Sequence, residues 1–262
     1  MLLIGSYKTG LLYSMASVAI QGSYWLLLPD QVANSIEGIL MAIIAGIIGA
    51  LGFVFYIFAL RIGKVSVVSV LTAGYPAVSV ILAILLLSDR LTMLQGVAII
   101  MIIFAMLLLS GTEGMQTKNE DGTPKSRLWL FWAIMSLLFW GLWAIPSKLA
   151  IEMIGEADYI LIDGLTMVLV WAPLWLYFEK GRMDRDIHKL KYSGFAGIMA
   201  SLGTVCLFLA LSNGIVSIVT PLTSIYPIVT VLLARFTLKE RLFWLQYLAV
   251  AIAVTGTVLL AL

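Results

Sequence analysis

The chain reads as an all-α membrane protein, an inverted-repeat helical bundle, and three observations lead to that class. Of its 262 residues, 62% are hydrophobic and only 11% charged, with a mean hydropathy of +1.07. That leaves too little polar surface to cover a soluble globule of this size. Apolar stretches of membrane-crossing length recur nine times. Finally, residues 59 to 76, ALRIGKVSVVSVLTAGYP, return as residues 210 to 227, ALSNGIVSIVTPLTSIYP, in one ungapped register, the mark of a duplicated unit.

The nine stretches run over about 10–28, 36–60, 65–87, 93–110, 128–149, 158–178, 194–213, 215–237 and 243–262, and are numbered α1 to α9. Each approaches the roughly 20 residues that cross about 30 Å of hydrocarbon as a helix. None alternates polar and apolar with period two, so helices are expected and a barrel is not. The first stretch carries small residues, Ala16 and Ala19, as a signal peptide would, yet only Lys8 precedes it as a basic residue. It also stands where α6 stands in the second copy, so it belongs to the fold. The lone Cys206, inside α7, excludes an internal disulfide and a multi-cysteine metal site.

The register holds beyond the core pattern. Ala45-Gly46-Ile47 matches Ala196-Gly197-Ile198, Asp89-Arg90-Leu91 matches Glu240-Arg241-Leu242, and Leu94-Gln95 matches Leu245-Gln246. Thus α2 pairs with α7, α3 with α8 and α4 with α9. Each partner lies five helices further on, and an odd step reverses direction across the bilayer. Two antiparallel copies can exchange conformations to give outward-facing and inward-facing states. The expected division is a first repeat over 1–110, N-terminally incomplete, a cytoplasmic linker over 111–127 and a second repeat over 128–262. The counterpart of α5 would lie before Met1. Two explanations stand: a start further upstream, which the symmetry of the fold favours, or a nine-helix form completed by a homodimer or a partner subunit.

The doubled pattern, together with Trp140-Gly141 and the following Lys148 at the end of α5, resembles the drug/metabolite transporter superfamily, and within it the EamA-type transporters with two five-helix repeats. The resemblance covers nearly the whole chain. Its most specific part is a small-residue helix, a short loop, a Ser/Val/Thr-rich helix with a central Tyr-Pro, then an acid followed by Arg-Leu. It implies a ten-helix fold, here lacking its first helix, with a substrate cavity between the repeats and small organic solutes as cargo. The missing helix departs from that pattern, and so does an extracytoplasmic C-terminus where many members keep both termini in the cytoplasm.

Several residues are candidates for the transport machinery. Tyr75-Pro76 and Tyr226-Pro227 fall near the middle of α3 and α8, where a proline removes the hydrogen bond to the carbonyl four residues back, that of Thr72 or Thr223. Freed polar groups at that depth are tolerated where protein or water satisfies them, so Thr72, Tyr75, Thr223 and Tyr226 are expected to contact substrate, and Pro76 and Pro227 to act as hinges. Simple kinks that fit the bundle are the alternative. Trp140, more than a turn inside α5 and beside Gly141, offers an aromatic face for stacking, or else packs in the core. Trp132, Trp143, Trp171 and Trp175 are expected to contribute to an aromatic belt at the headgroups. Ser66, Ser69, Ser217 and Thr220 form a polar stripe suited to interhelical hydrogen bonding, and Gly46, Gly49 and Gly52 a smooth ridge on α2 suited to close packing. Lys148 and Asp163 flank the α5–α6 connection and either form an ion pair or snorkel separately to the interface. No central Glu appears in any helix, which disfavours strict proton coupling through a buried carboxylate.

These features favour a multi-pass transporter of small organic metabolites in the cell (inner or plasma) membrane, more readily an exporter than a sugar uptake permease, working by alternating access. A non-transporting scaffold or truncated fragment is the competing class. An enzyme is not expected: there is no HExxH or GxSxG, and the single histidine, His188, lies in a charged loop. No cofactor, metal or nucleic-acid partner is implied; the partners are the lipid bilayer and the small-molecule substrate. Fourteen of the sixteen Lys and Arg residues fall on one face of this topology, with only Arg90 and Lys148 on the other. The linker therefore lies in the cytoplasm. A reporter fused after Leu262 is expected to be extracytoplasmic, and a cytoplasmic signal would overturn the assignment.

Overall fold

The computed structural model describes residues 6–28, 35–62, 68, 71–114, 128–182, 187–223 and 244–260. Among them are nine α-helices and no strand: α1 (Ser6–Leu27), α2 (Ile36–Ile62), α3 (Tyr75–Leu82, continued by a π-helical turn over Ala83–Leu87), α4 (Met93–Gly114), α5 (Leu128–Ile154), α6 (Glu156–Glu179), α7 (Ile187–Asn213), α8 (Val216–Thr223) and α9 (Trp244–Leu260). Each falls on one of the nine stretches anticipated from hydropathy. Four helices, Ile36–Ile62, Leu128–Ile154, Glu156–Glu179 and Leu190–Asn213, are long and apolar enough to cross a membrane by length and composition. Leu26, Ile100, Leu169 and Phe195 are more than half exposed on their outer faces. Water would solvate such a surface poorly and lipid solvates it well.

The chain forms two compact units, and neither is a sequence repeat. One contains α1, α2 as far as Val54, α5 from Trp143, α6 and α7; the other contains the rest of α2, α3, α4, α5 up to Leu142, α8 and α9. Each unit therefore draws helices from both copies. Within them, helices at equivalent positions of the two repeats pack together: α1 on α6, α4 on α9, and α3 on α8.

The first unit makes the inversion visible. Lys8, early in α1, pairs with Glu179 at the end of α6 at 3.9 Å. Gln21 reaches Asp163, and Trp25 Nε1, late in α1, donates to Asp158 near the start of α6 at 2.6 Å. The two helices run antiparallel, as an odd step between copies requires. Their contact is close because Gly10 leaves room for Trp171, which is wholly buried and also meets Phe53 edge-on at 5.5 Å. Gly46 and Gly49 of the α2 ridge lie against Thr166 and Trp143, where a Cβ would come within 2.8 Å of either. Helix packing accounts for that ridge. Trp143 and Trp171 are thus core residues, not members of an aromatic belt, because glycines in the facing helices open space for indoles inside the bundle.

Helix ends are closed by a glycine turn and by capping side chains, some of them from the repeat motif. Gly155, with φ of 83°, turns α5 into α6 in a single residue, a conformation that L side chains rarely adopt. Ser35 Oγ accepts the Gly38 N–H at 3.1 Å at the start of α2. Thr92 and Gln95 form a reciprocal capping box on α4, with the Gln95 N–H donating to Thr92 Oγ1 and the Thr92 N–H to Gln95 Oε1. Asp89 caps a different helix: its Oδ2 accepts from Ser217 N at 3.0 Å and from Ser217 Oγ at 2.7 Å, at the first turn of α8. The Asp-Arg-Leu signature of the first repeat thereby ties down a helix of the second.

Pro76 lies at the start of a helix and not in its middle. The break precedes it: Ala73 and Gly74 form a turn in which the Gly74 N–H donates to the Leu71 carbonyl at 3.1 Å, and α3 begins anew at Tyr75. A first-turn proline removes no intrahelical hydrogen bond, so it stabilises the restart. Tyr226, Pro227, Ser66 and Ser69 lie outside the described residues. The capping role of Asp89 leads to a direct expectation: Asp89→Ala should lower unfolding free energy by about 1–2 kcal/mol, and Asp89→Asn by less, as measured by reversible unfolding in mixed micelles. Equal stability of Asp89→Ala and the parent chain would remove the cap from the account.

Candidate functional site

In the second unit, three of the residues expected to meet substrate stand together. Tyr75, buried at the first position of α3, hydrogen-bonds Thr223 of α8 at 3.2 Å. Thr223 Oγ1 itself donates to the Thr220 carbonyl, so the phenol is the donor of this pair. The Tyr75 ring meets Trp140 edge-on at 6.2 Å, and Tyr56 of α2 packs against Trp140 at 5.4 Å. A half-buried indole thus has two phenols against it, a geometry with large apolar area and polar tips.

Gly141 explains how the indole is fixed. A Cβ there would come within 2.5 Å of Val78 and 3.1 Å of the Tyr75 carbonyl, so α5 and α3 touch backbone to side chain. Ser79 Oγ donates to the Gly141 carbonyl at 3.0 Å across the same contact. The Trp-Gly motif is therefore a docking point for the Tyr-Pro helix. Thr72 behaves differently: it is wholly buried, and its hydroxyl donates to the Val68 carbonyl at 3.0 Å. The stripe residue Thr220 likewise bonds the Val216 carbonyl. Tyr226, the remaining candidate, lies outside the described residues.

Lys148 and Asp163, candidates for an ion pair, find separate partners. Lys148 Nζ donates to the Leu211 carbonyl at 2.8 Å and to the Ser212 carbonyl at 3.4 Å, and pairs with Glu152 at 3.3 Å. It caps the C-terminal turn of α7, where a cation complements the exposed carbonyls. Asp163 is the eighth residue of α6, two turns from its start, and is 1% exposed. Position inside the bundle, not at an interface, separates it from Lys148.

Around Asp163 the first unit holds a buried polar stripe that reading the sequence alone did not single out. Tyr13, Ser17 and Gln21 follow one face of α1 at four-residue spacing. Tyr13 OH lies 3.3 Å from Thr204 Oγ1, Ser17 donates to Ser201 Oγ at 3.0 Å, with Ser201 in turn donating to the Gly197 carbonyl, and Gln21 Nε2 donates to Asp163 Oδ2 at 3.4 Å. Spacing was the available signal, since a Tyr/Ser/Gln stripe in an apolar helix marks a face turned to protein. Nothing in the sequence joined Gln21 to an acid 142 positions away. Among the described residues no three His, Cys, Asp or Glu side chains converge on a point where a metal could sit.

A family model, the EamA-like transporter family, matches residues 7–111 and 127–262. An uncharacterised protein of Methanocaldococcus jannaschii is 28% identical over 129 residues, covering 49% of this chain and 93% of that relative. A protein of known crystal structure superposes with a TM-score of 0.73 over 99% of this chain and 90% of its own, at 16% identity, a likeness of fold alone. With the family model covering both repeats and an all-helical, lipid-facing structure to match, this chain belongs to the EamA-like transporter family of multi-pass membrane proteins, whose members are transporters and not enzymes.

Proposed function

We propose that the chain moves small organic metabolites, amino-acid-like, sugar or drug-like, across the cell membrane by alternating access between its two inverted repeats, in the direction of export. The observation that carries this reading is the joining of the two Tyr-Pro helices at their polar tips, Tyr75 of the first repeat to Thr223 of the second, beside the indole of Trp140. An uncharged, aromatic and hydroxyl-lined site suits amphipathic solutes with one or two hydrogen-bonding groups. Among its described residues it offers no fixed charge for a strongly ionic cargo. In this reading Trp140 stacks on the solute and Tyr75 and Thr223 exchange their mutual bond for bonds to it. The helix restart at Gly74-Tyr75-Pro76 lets α3 swing as a unit, with Pro76 as its fixed first turn.

The test is mass-spectrometric profiling of extracts and spent medium from cells expressing the chain, its Trp140→Ala variant, its Pro76→Ala variant, or none, at matched membrane abundance. A metabolite moved to the medium only by the parent chain is expected. Trp140→Ala should weaken its apparent affinity about tenfold, the loss of one aromatic contact, and Pro76→Ala should slow its movement more than it lowers abundance. A parent chain that redistributes nothing would refute the transport reading, and accumulation inside the cells would reverse the direction.

A further inference from the structure

The pair Gln21 and Asp163 leaves two acceptor oxygens unanswered. Gln21 Nε2 donates to Asp163 Oδ2 at 3.4 Å, while Gln21 Oε1 and Asp163 Oδ1, both buried, receive no hydrogen bond from any described protein group. Gln21 is 0% and Asp163 1% exposed. A buried polar atom without a donor is costly, and a buried charge more so. Gly164, next to Asp163, lies against Gln21 Oε1 so closely that a Cβ there would collide with it.

A single donor placed on Oδ1 satisfies both oxygens. A carboxylic acid and a primary amide form a cyclic pair: the amide N–H donates to one carboxyl oxygen, and the acid O–H donates to the amide oxygen. The first of those two bonds is present in the structure. The second requires a proton on Oδ1 and Oδ1 turned toward Oε1. We propose that Gln21 and Asp163 form a proton-binding site within the membrane, in which Asp163 Oδ1, once protonated, donates to Gln21 Oε1 and closes the acid–amide pair. The proton is taken from water as an O–H bond forms on Oδ1, and is returned to water when that bond breaks, with no other reactant required. Coupling of this proton to solute movement rests on the transport reading above; the site itself does not.

Among the described residues, the nearby hydroxyls and charged side chains are engaged elsewhere or exposed. Tyr13 of α1 and Tyr159 of α6 lie near enough to feel the charge on Asp163, but their hydroxyls are engaged with Thr204 and Ser147. Of the charged groups on neighbouring helices, Lys8 faces Glu179, Asp158 takes the Trp25 indole N–H, and Lys148 is held by Glu152 and the last turn of α7. On α7, Lys191 and Tyr192 are exposed, as is Glu37 on α2. Ser17 with Ser201, and Tyr13 with Thr204, lie about one and two turns along α1 from Gln21, toward the end that carries Lys8. They give the proton polar neighbours in an otherwise apolar helix.

Infrared difference spectroscopy of the purified chain in lipid, stepped in pH, reads the proton directly and needs no solute. A protonated-carboxyl band that appears and disappears with pH is expected in the parent chain. It should be lost in Asp163→Asn, whose amide can still pair with Gln21, and retained but shifted in frequency in Gln21→Leu, which leaves the acid without its amide. Identical pH-difference spectra for the parent and Asp163→Asn would overturn the proposal. So would an unshifted band in Gln21→Leu, or a sodium step at constant pH that perturbs the Asp163 carboxylate of the parent in place of the proton. Solute flux at two external pH values then tests the coupling: it should depend on pH in the parent and lose that dependence in Asp163→Asn. A titrating Asp163 in a chain that moves no solute would leave the proton site standing and sink the transport reading instead.

Discussion

Inside hydrocarbon a polar group has no water to fall back on, and that constraint governs nearly every hydrogen bond in this protein. The backbone meets it by remaining helical. Hydroxyls meet it locally: Thr72, Ser147, Thr166, Ser201 and Thr220 each donate to the carbonyl four residues earlier, so they cost little wherever the helix places them. Groups that cannot reach their own helix bind the end of another. Lys148 closes the last turn of α7 and Asp89 the first turn of α8, which turns two charges into structural ties between segments far apart in sequence. The constraint therefore does more than permit the fold, since the few charged side chains are the ones that fix which helix ends meet.

Duplication supplies the rest of the architecture. Because the copies are inverted, a helix and its counterpart run in opposite directions and present related faces, so they pack as antiparallel neighbours: α1 with α6 joined at Lys8–Glu179, Gln21–Asp163 and Trp25–Asp158. Equivalent helices α4 and α9 do the same through an apolar face in which Ala98, Ile99, Ile102 and Ala105 take Val250, Ile252 and Leu259 against them. A single repeat would leave those faces of α1 and α4 uncovered. The compact units are thus made by exchange between copies, and the boundary of a repeat in sequence is not the boundary of a packed body.

How much of this was written in the sequence depends on the distance over which each feature acts. Apolar runs and an ungapped repeat are local or self-comparing signals, and they located nine helices and the inversion, because membrane depth and helical rise fix the length of each element. The repeat marks its own Tyr-Pro helices, and the structure brings Tyr75, Trp140 and Thr223 together. Pro76 was misplaced within its helix, because hydropathy does not register the turn at Ala73-Gly74 that ends one helical segment before Tyr75 begins the next. The partners of Lys148 and Asp163 were not legible. Both residues sit near the α5–α6 turn, and sequence proximity suggested each other; the decisive groups, the Leu211 carbonyl and the Gln21 amide, come from helices that only tertiary packing delivers.

The same contrast explains why Asp163 stands apart. Lys8, Asp89, Lys148 and Asp158 are each matched by a donor, an acceptor or an opposite charge that belongs to the protein. Asp163 is matched on one oxygen only, by a long bond to a residue whose own carbonyl oxygen is also left over, and its helix places it two turns inside the bundle where snorkelling cannot reach water. If the role were structural, replacing the pair by two apolar side chains of similar volume would satisfy the membrane better than an acid and an amide do. A half-satisfied polar pair is the arrangement that a third, exchangeable group completes. A proton on Asp163 turns Oδ1 from an acceptor without a donor into a donor itself, which a larger ligand does not do.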